Sequence, residues 1–202
     1  MSLWLADRPL VLASKSAIRG AILREAGLPV EVSPADIDER AIEQGSAARD
    51  PGAVAALLAL EKARTIAARL PGRVVLGADQ TLALGVRRFS KPADRASARA
   101  QLKLLRGQTH ELHTAIALVR EGTIMFEHRD VARLTMREFS DRFLEDYLDA
   151  AGAAVTASVG GYQLERTGIQ LFERVEGDHF VILGLPILPL LLHLRQAGSL
   201  AA

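Results

Sequence analysis

Between Ala53 and Leu70, Leu57, Leu60, Ala63, Ile66, Ala67 and Leu70 fall on one stripe at helical spacing, with Glu61, Arg64 and Arg69 outside it. That pattern predicts an amphipathic helix resting on a core. Pro71-Gly72 breaks it, and Val74-Val75-Leu76 follows as an uninterrupted apolar run, the mark of a strand covered on both faces. A helix, a break and a doubly covered strand belong to an α/β sheet. The run ends at Gly77-Ala78-Asp79, which predicts that Asp79 sits at the strand's C-terminal end, where open α/β sheets present groups to ligands.

The same grammar opens the chain. Leu10-Val11-Leu12-Ala13 is a buried-strand run, and from Ser16 onward Ile18, Ala21, Ile22 and Ala26 take helical spacing up to Gly27. Pro29 to Ser33 predicts a second strand, and Asp36, Asp38 and Glu39 an acidic loop. A hairpin through Gly85 precedes a helix from about Asp94 to Leu105. Two long strands, Thr109 to Arg120 and Ile124 to Met136, meet at Glu121-Gly122. Ser140 caps a helix to about Ala150, a glycine-punctuated loop follows, and Pro186 to Gln196 reads as a last apolar helix. Buried runs of parallel type beside long hairpin strands give the expectation of a mixed, twisted sheet flanked by helices, in one domain over residues 1–202.

Composition narrows the partners. Lys plus Arg number 25 against 24 Asp plus Glu, so the chain has no global basic field for nucleic acid, and any anion site must be local. With no cysteine there is no thiolate metal site and no thiol nucleophile. The start of the chain lacks a secretory layout, and the most apolar stretch, Phe180 to Leu194, is too short to span a bilayer and carries two prolines. The expectation is a cytoplasmic protein with no membrane partner.

Four segments place polar groups where a core strand meets a loop: Ser14-Lys15-Ser16-Ala17-Ile18-Arg19, Asp38-Glu39, Gly77-Ala78-Asp79-Gln80 and Ser90-Lys91-Pro92. In the first, Ser14 and Ser16 lead into a helix N-terminus whose free N–H groups favour an anion, and Arg19 adds a guanidinium fork for phosphate. The competing reading has Ser14 or Ser16 simply capping the helix. Asp79 can hold a divalent cation or accept a proton from an attacking water, or else only bond its own turn. Lys62 and Lys91 can neutralise phosphate charge, and Glu39 is a second oxygen ligand for a hard cation. Against these stand an ordinary surface lysine and a solvated acidic loop. His110 and His113 have no metal-ligand spacing and receive no role.

In order, these segments resemble the Maf family. Its pattern corresponds to Ala13-Ser14-Lys15-Ser16-Ala17-Ile18-Arg19, Gly77-Ala78-Asp79, Ser90-Lys91-Pro92, Arg106-Gly107-Gln108-Thr109-His110, and Glu176-Gly177-Asp178 followed by Gly184-Leu185-Pro186. Ala17 stands where the family usually has proline and Ser90 where it has glycine. The resemblance implies an elongated, two-lobed α/β fold like that of the inosine-triphosphate pyrophosphatases, with a central cleft and homodimers. It also implies a Mg²⁺- or Mn²⁺-dependent nucleoside triphosphate pyrophosphatase, releasing nucleoside monophosphate and pyrophosphate. Asp79 is then the proton acceptor, with Glu39, Lys62 and Lys91 around the triphosphate. The alternative is a nucleotide-binding regulator of cell division that does not hydrolyse its ligand.

Three positions bear on the base: Ile18, Gln80 and Glu165. None matches the residue expected of the family's dTTP/UTP branch, and Gln80 and Glu165 look more like the branch associated with 7-methyl-GTP. Guanine offers N–H donors that suit an acceptor-only carboxylate such as Glu165, whereas uracil or thymine would face it with carbonyl oxygens.

Overall fold

The computed structural model describes residues 3–201. Its strands are β1 (Leu10–Leu12), β2 (Val30–Val32), β3 (Val75–Leu84), β4 (Arg87–Phe89), β5 (Thr109–Arg120), β6 (Thr123–Met136) and β7 (Phe172–Glu176). The helices are α1 (Ala17–Glu25), α2 (Glu39–Gly45), α3 (Pro51–Arg69), α4 (Arg95–Leu105), α5 (Asp141–Ala151), α6 (His179–Ile182) and α7 (Ile187–Gln196). The strands form one mixed sheet in the order β2-β1-β3-β5-β6-β7, with β4 also on β3. β1 lies parallel to β2 and β3, while β4 on β3 and β7 on β6 are antiparallel. The expectation of a mixed α/β sheet holds.

The chain divides into two compact units. The first comprises the residues up to Gln80, Thr114–Asp130 and the chain from His179 onward. Here β1 shows why its sequence reads as a solid apolar run. Leu10 and Leu12 pack with Leu76, Ile116 and Leu118 against α1 and α7, while Val11 and Ala13 pack with Val75 and Val119 against Ala63, Ile66 and Ala67 of α3. Both faces are covered, so alternation has no polar side to show. At the β5–β6 connection Glu121 (φ 51°) and Gly122 (φ 77°) both take the left-handed backbone that a two-residue hairpin turn requires.

The second unit holds Thr81–His113 and Val131–Asp178. α4 and α5 bury Ala98, Leu102, Leu105, Leu144 and Leu148. Among these apolar groups sits a buried polar pair, His110 Nε2 with Tyr162 Oη at 2.7 Å, and Tyr147 Oη donates to Gly161 O at 3.0 Å. Burial pushes His110 down to about 4, so its ring is neutral near pH 7.

Four expectations need correction. β3 continues to Leu84, so Asp79 lies in mid-strand and not at its C-terminal end. The acidic loop turns helical at once: Asp38 caps α2 by accepting Ala41 N–H at 3.0 Å, and Glu39 is that helix's first residue. On α3 the buried face is Val54, Ala55, Leu58, Ala59, Ala63, Ile66 and Ala67, whereas Leu57, Leu60 and Leu70 are only partly buried. Finally, the stretch after the glycine loop contains strand β7, whose pattern of two apolar residues among three charged ones gave no signal.

Candidate active site

Asp79 is the only carboxylate among the buried described residues, 8 % exposed in the middle of β3. Strand alternation decides its direction. Gly77 and Asp79 share the face toward α3, while Leu76 and Ala78 belong to the core on the other side. One turn along α3 from Ala59, Lys62 donates from Nζ to Asp79 Oδ1 at 2.5 Å and to Glu39 Oε1 at 2.7 Å. Lys62 and Asp79 side chains are nearly buried, at 12 % and 11 % exposure, while Glu39 is about half exposed. Burial pushes the Asp79 carboxyl above the ordinary carboxylate range, while Lys62 and Arg19 pull it back and Glu39 adds to the rise.

Glu39, Lys62 and Asp79 thus converge from α2, α3 and β3. Two hard oxygen donors face one cationic centre, and Lys62 Nζ has a third N–H beyond the two in use. Among the described residues, no group of three or more His, Asp or Glu side chains converges as a cage. The donor set fits Mg²⁺ or Mn²⁺, which take one or two carboxylates and fill the remaining positions with water and substrate phosphate oxygens. Glu39 and Asp79 are the residues that would hold such an ion.

The start of α1 forms the adjoining part of the same unit. Ser16 caps the helix by accepting Arg19 N–H at 3.5 Å. Ser14, buried, accepts from Ser16 N–H at 3.2 Å and from Arg19 Nη1 at 3.1 Å, leaving its own O–H as the remaining donor. Arg19 also donates from Nη1 to Ala78 O at 2.7 Å and from Nε to Gly184 O at 2.8 Å. Its guanidinium ties α1 to β3 and to the turn after α6, so of its fork only Nη2 is uncommitted among the described residues. Burial lowers its pKa, against the opposing pull of Asp79 and Glu39.

Gln80 lies on the opposite side of β3 from Asp79. Its Nε2 donates to Thr114 Oγ1 at 2.9 Å, Val181 O at 3.0 Å and Ile182 O at 3.1 Å. Two carbonyl acceptors fix which amide atom is nitrogen, so the polar atom left to Gln80 is Oε1. Ile18 is partly buried against the core that holds Leu10 and Leu12. Lys91 and Glu165 belong to the second unit: Lys91 is exposed between β4 and α4, and Glu165 is exposed on a turn closed by Arg166 N–H to Gln163 O at 3.1 Å. The structure therefore gathers Ser14, Ser16, Arg19, Glu39, Lys62 and Asp79 within the first unit. Sequence reasoning missed Thr114 and quoted Gly184 only as part of the closing motif, with no role; their partners lie 67 and 165 residues away.

The matching family model, described as Maf-like protein, covers residues 9–197. A nucleoside triphosphate pyrophosphatase of Rhodopseudomonas palustris (strain BisB18) is 57 % identical over 201 residues, spanning 100 % of both chains. A 7-methyl-GTP pyrophosphatase of Rhizobium etli is 48 % identical over 193 residues, covering 95 % of this chain and 97 % of that one. Among solved structures, a HAM1 protein from Coxiella burnetii is 22 % identical over 63 % of this chain and 72 % of that chain, with a TM-score of 0.44. With a family model matched almost end to end and full-length relatives above half identity, the chain belongs to the Maf family.

Proposed function

We propose that this protein is a nucleoside triphosphate pyrophosphatase in which Asp79 accepts a proton from the water that attacks the α-phosphorus. The observation that carries this reading is the buried Asp79 carboxylate held at 2.5 Å by Lys62, which also holds Glu39, beside the α1 N-terminus. Water adds to the α-phosphorus and gives its proton to Asp79. The bond from the α-phosphorus to the bridging oxygen breaks, and nucleoside monophosphate and pyrophosphate leave.

Each group has a physical reason for its part. A carboxylate with its pKa raised by burial is a stronger base than one in water. Lys62 orients it and adds positive charge where negative charge accumulates. Ser14 O–H, the first N–H groups of α1 and Arg19 Nη2 are donors suited to phosphate oxygens. Lys91 is a further cation for the departing pyrophosphate on the family pattern. A divalent ion on Glu39 and Asp79 would screen the phosphate charge and polarise the α-phosphoryl group.

On the same reading the preferred base is guanine, in the form of 7-methyl-GTP. Its support is the acceptor-only Glu165, the exposed turn that carries it, and the relative at 48 % identity that bears that substrate's name. The protein acts in the cytoplasm on free nucleotides, as a homodimer, with no nucleic-acid partner. The test is pyrophosphate release from 7-methyl-GTP, GTP, dTTP and UTP, with and without Mg²⁺ or Mn²⁺. Metal-dependent release that Asp79→Asn abolishes is the expected result. Activity of wild-type size in that variant removes Asp79 from the mechanism, and faster turnover of dTTP or UTP rejects the guanine preference.

A further inference from the structure

The closing Gly184-Leu185-Pro186 segment has no part in the chemistry assigned so far, yet three side chains of the first unit fasten to it and to the helix before it. Val181 O accepts from Thr114 Oγ1 at 2.9 Å and from Gln80 Nε2, Ile182 O also accepts from Gln80, and Gly184 O accepts from Arg19 Nε. α6 has four residues, too few to persist without such ties. These contacts make its C-terminal end a fixed strut, and a fixed strut can in turn hold what is bonded to it.

Gly184 combines two properties at one position. Its carbonyl orients the guanidinium, at 2.8 Å from Nε. Its missing side chain leaves the space the guanidinium fills: a β-carbon there would lie 3.1 Å from both Nε and Nη2 and 3.5 Å from Cζ. With φ at 89°, the backbone is also in the region that favours glycine. Since Nη1 is committed to Ser14 and Ala78, the guanidinium's free donors are those of Nη2, the nitrogen a methyl group at 184 would crowd.

We propose that Gly184 is a positioning residue for phosphate recognition, its carbonyl and its open α-carbon together holding the Arg19 guanidinium so that Nη2 meets the pyrophosphate part of the substrate. The inference rests on the reading of Arg19 as a phosphate ligand. It assigns the Gly-Leu-Pro turn a role in binding anions, although the turn itself carries no charge.

The experiment uses the full chain with excess Mg²⁺, calorimetric binding of inorganic pyrophosphate, and kcat and KM for GTP in Gly184→Ala, Arg19→Lys and the double variant. Gly184→Ala and Arg19→Lys should each weaken pyrophosphate binding and raise KM about tenfold, the scale of one oriented charge-assisted hydrogen bond, with a smaller fall in kcat. The double variant should lose no more than the worse single variant, because both changes break one contact. A merely structural defect would lower kcat by the fraction of inactive protein and leave KM alone. Where Gly184→Ala does not fold, Gly184→Asn carries the same test, since asparagine tolerates positive φ and still places a β-carbon beside the guanidinium. Wild-type KM and pyrophosphate affinity in the Gly184 variant, beside an Arg19→Lys that loses both, overturn the role of Gly184. Wild-type pyrophosphate binding by Arg19→Lys overturns the phosphate role of Arg19 and this inference with it.

Discussion

Gly77 faces the backbone carbonyl of Ala59 so closely that a β-carbon on Gly77 would lie 1.9 Å from that oxygen and 2.9 Å from Ala63 N. α3 therefore rests directly on β3 where Ala59 and Ala63 meet Gly77, and Ile66 and Ala67 extend the contact against Val11 and Val75. This close approach brings Lys62 within 2.5 Å of Asp79, two residues beyond Gly77 on the same face of the strand. Gly77→Ala should force the helix outward, costing about 1–3 kcal/mol as overpacked cores do, and should lower kcat because Lys62 withdraws from Asp79. Urea unfolding and steady-state kinetics on one preparation check both. A variant with wild-type stability would show that the contact yields freely.

Among the described residues, Lys62 is the only cation in direct contact with Asp79. Replacing it with methionine leaves a buried carboxylate without its ammonium, and the larger part of the pull that opposes burial is lost, with Arg19 remaining. The charged form is then less favoured, so the Asp79 pKa rises further. Lys62→Met should lower activity roughly a hundredfold at neutral pH, the scale of one lost electrostatic contact to reacting groups. The acid limb of its pH–rate profile should move to higher pH, because the base must be deprotonated to act. Lys62→Arg should restore part of the loss. An unmoved acid limb in Lys62→Met would contradict the coupling.

His110 predicts a stability effect in the second unit. Burial lowers its pKa from 6.5 to about 4, so between those values the unfolded chain binds a proton that the folded chain excludes. Stability from this residue is complete above pH 6.5 and falls, as pH drops to about 4, by about 3 kcal/mol at 1.36 kcal/mol per pKa unit. His110→Gln, which keeps a hydrogen-bonding group toward Tyr162, should flatten that acid slope. Urea midpoints of both proteins at pH 7.5 and 4.5 measure it, and parallel slopes would contradict the burial account.

Much of this was legible in the sequence because local chemistry wrote it. Ser140 caps the helix it is expected to cap, Ser16 caps α1 as the competing reading has it, α4 starts directly after Asp94, and the strands of the long hairpin start and stop within a residue of where their turn signals put them. Asp79 was misplaced for an instructive reason. Gly-Ala-Asp has the composition of a turn, but Gly77 is there for the close approach of Ala59, and a strand can run straight through such a glycine. The leucines of α3 misled in the same way, since at the close approach to Gly77 the helix presents Ala59 and Ala63, with Leu57 and Leu60 only partly buried. β7 was invisible because an edge strand exposed along most of its length shows little apolar pattern. The bonds from Arg19 to Gly184 and from Gln80 to Val181 span 165 and 101 residues, and no spacing rule along the chain reports a contact that only the sheet order creates.

The central claim concerns which phosphorus the water attacks, and isotope labelling tests it most directly. Turnover of GTP or 7-methyl-GTP in ¹⁸O-water with Mg²⁺, followed by mass spectrometry of both products, should find one ¹⁸O in the nucleoside monophosphate and none in the pyrophosphate. Label in the pyrophosphate, or a nucleoside diphosphate with labelled inorganic phosphate, would contradict attack at the α-phosphorus beside Asp79.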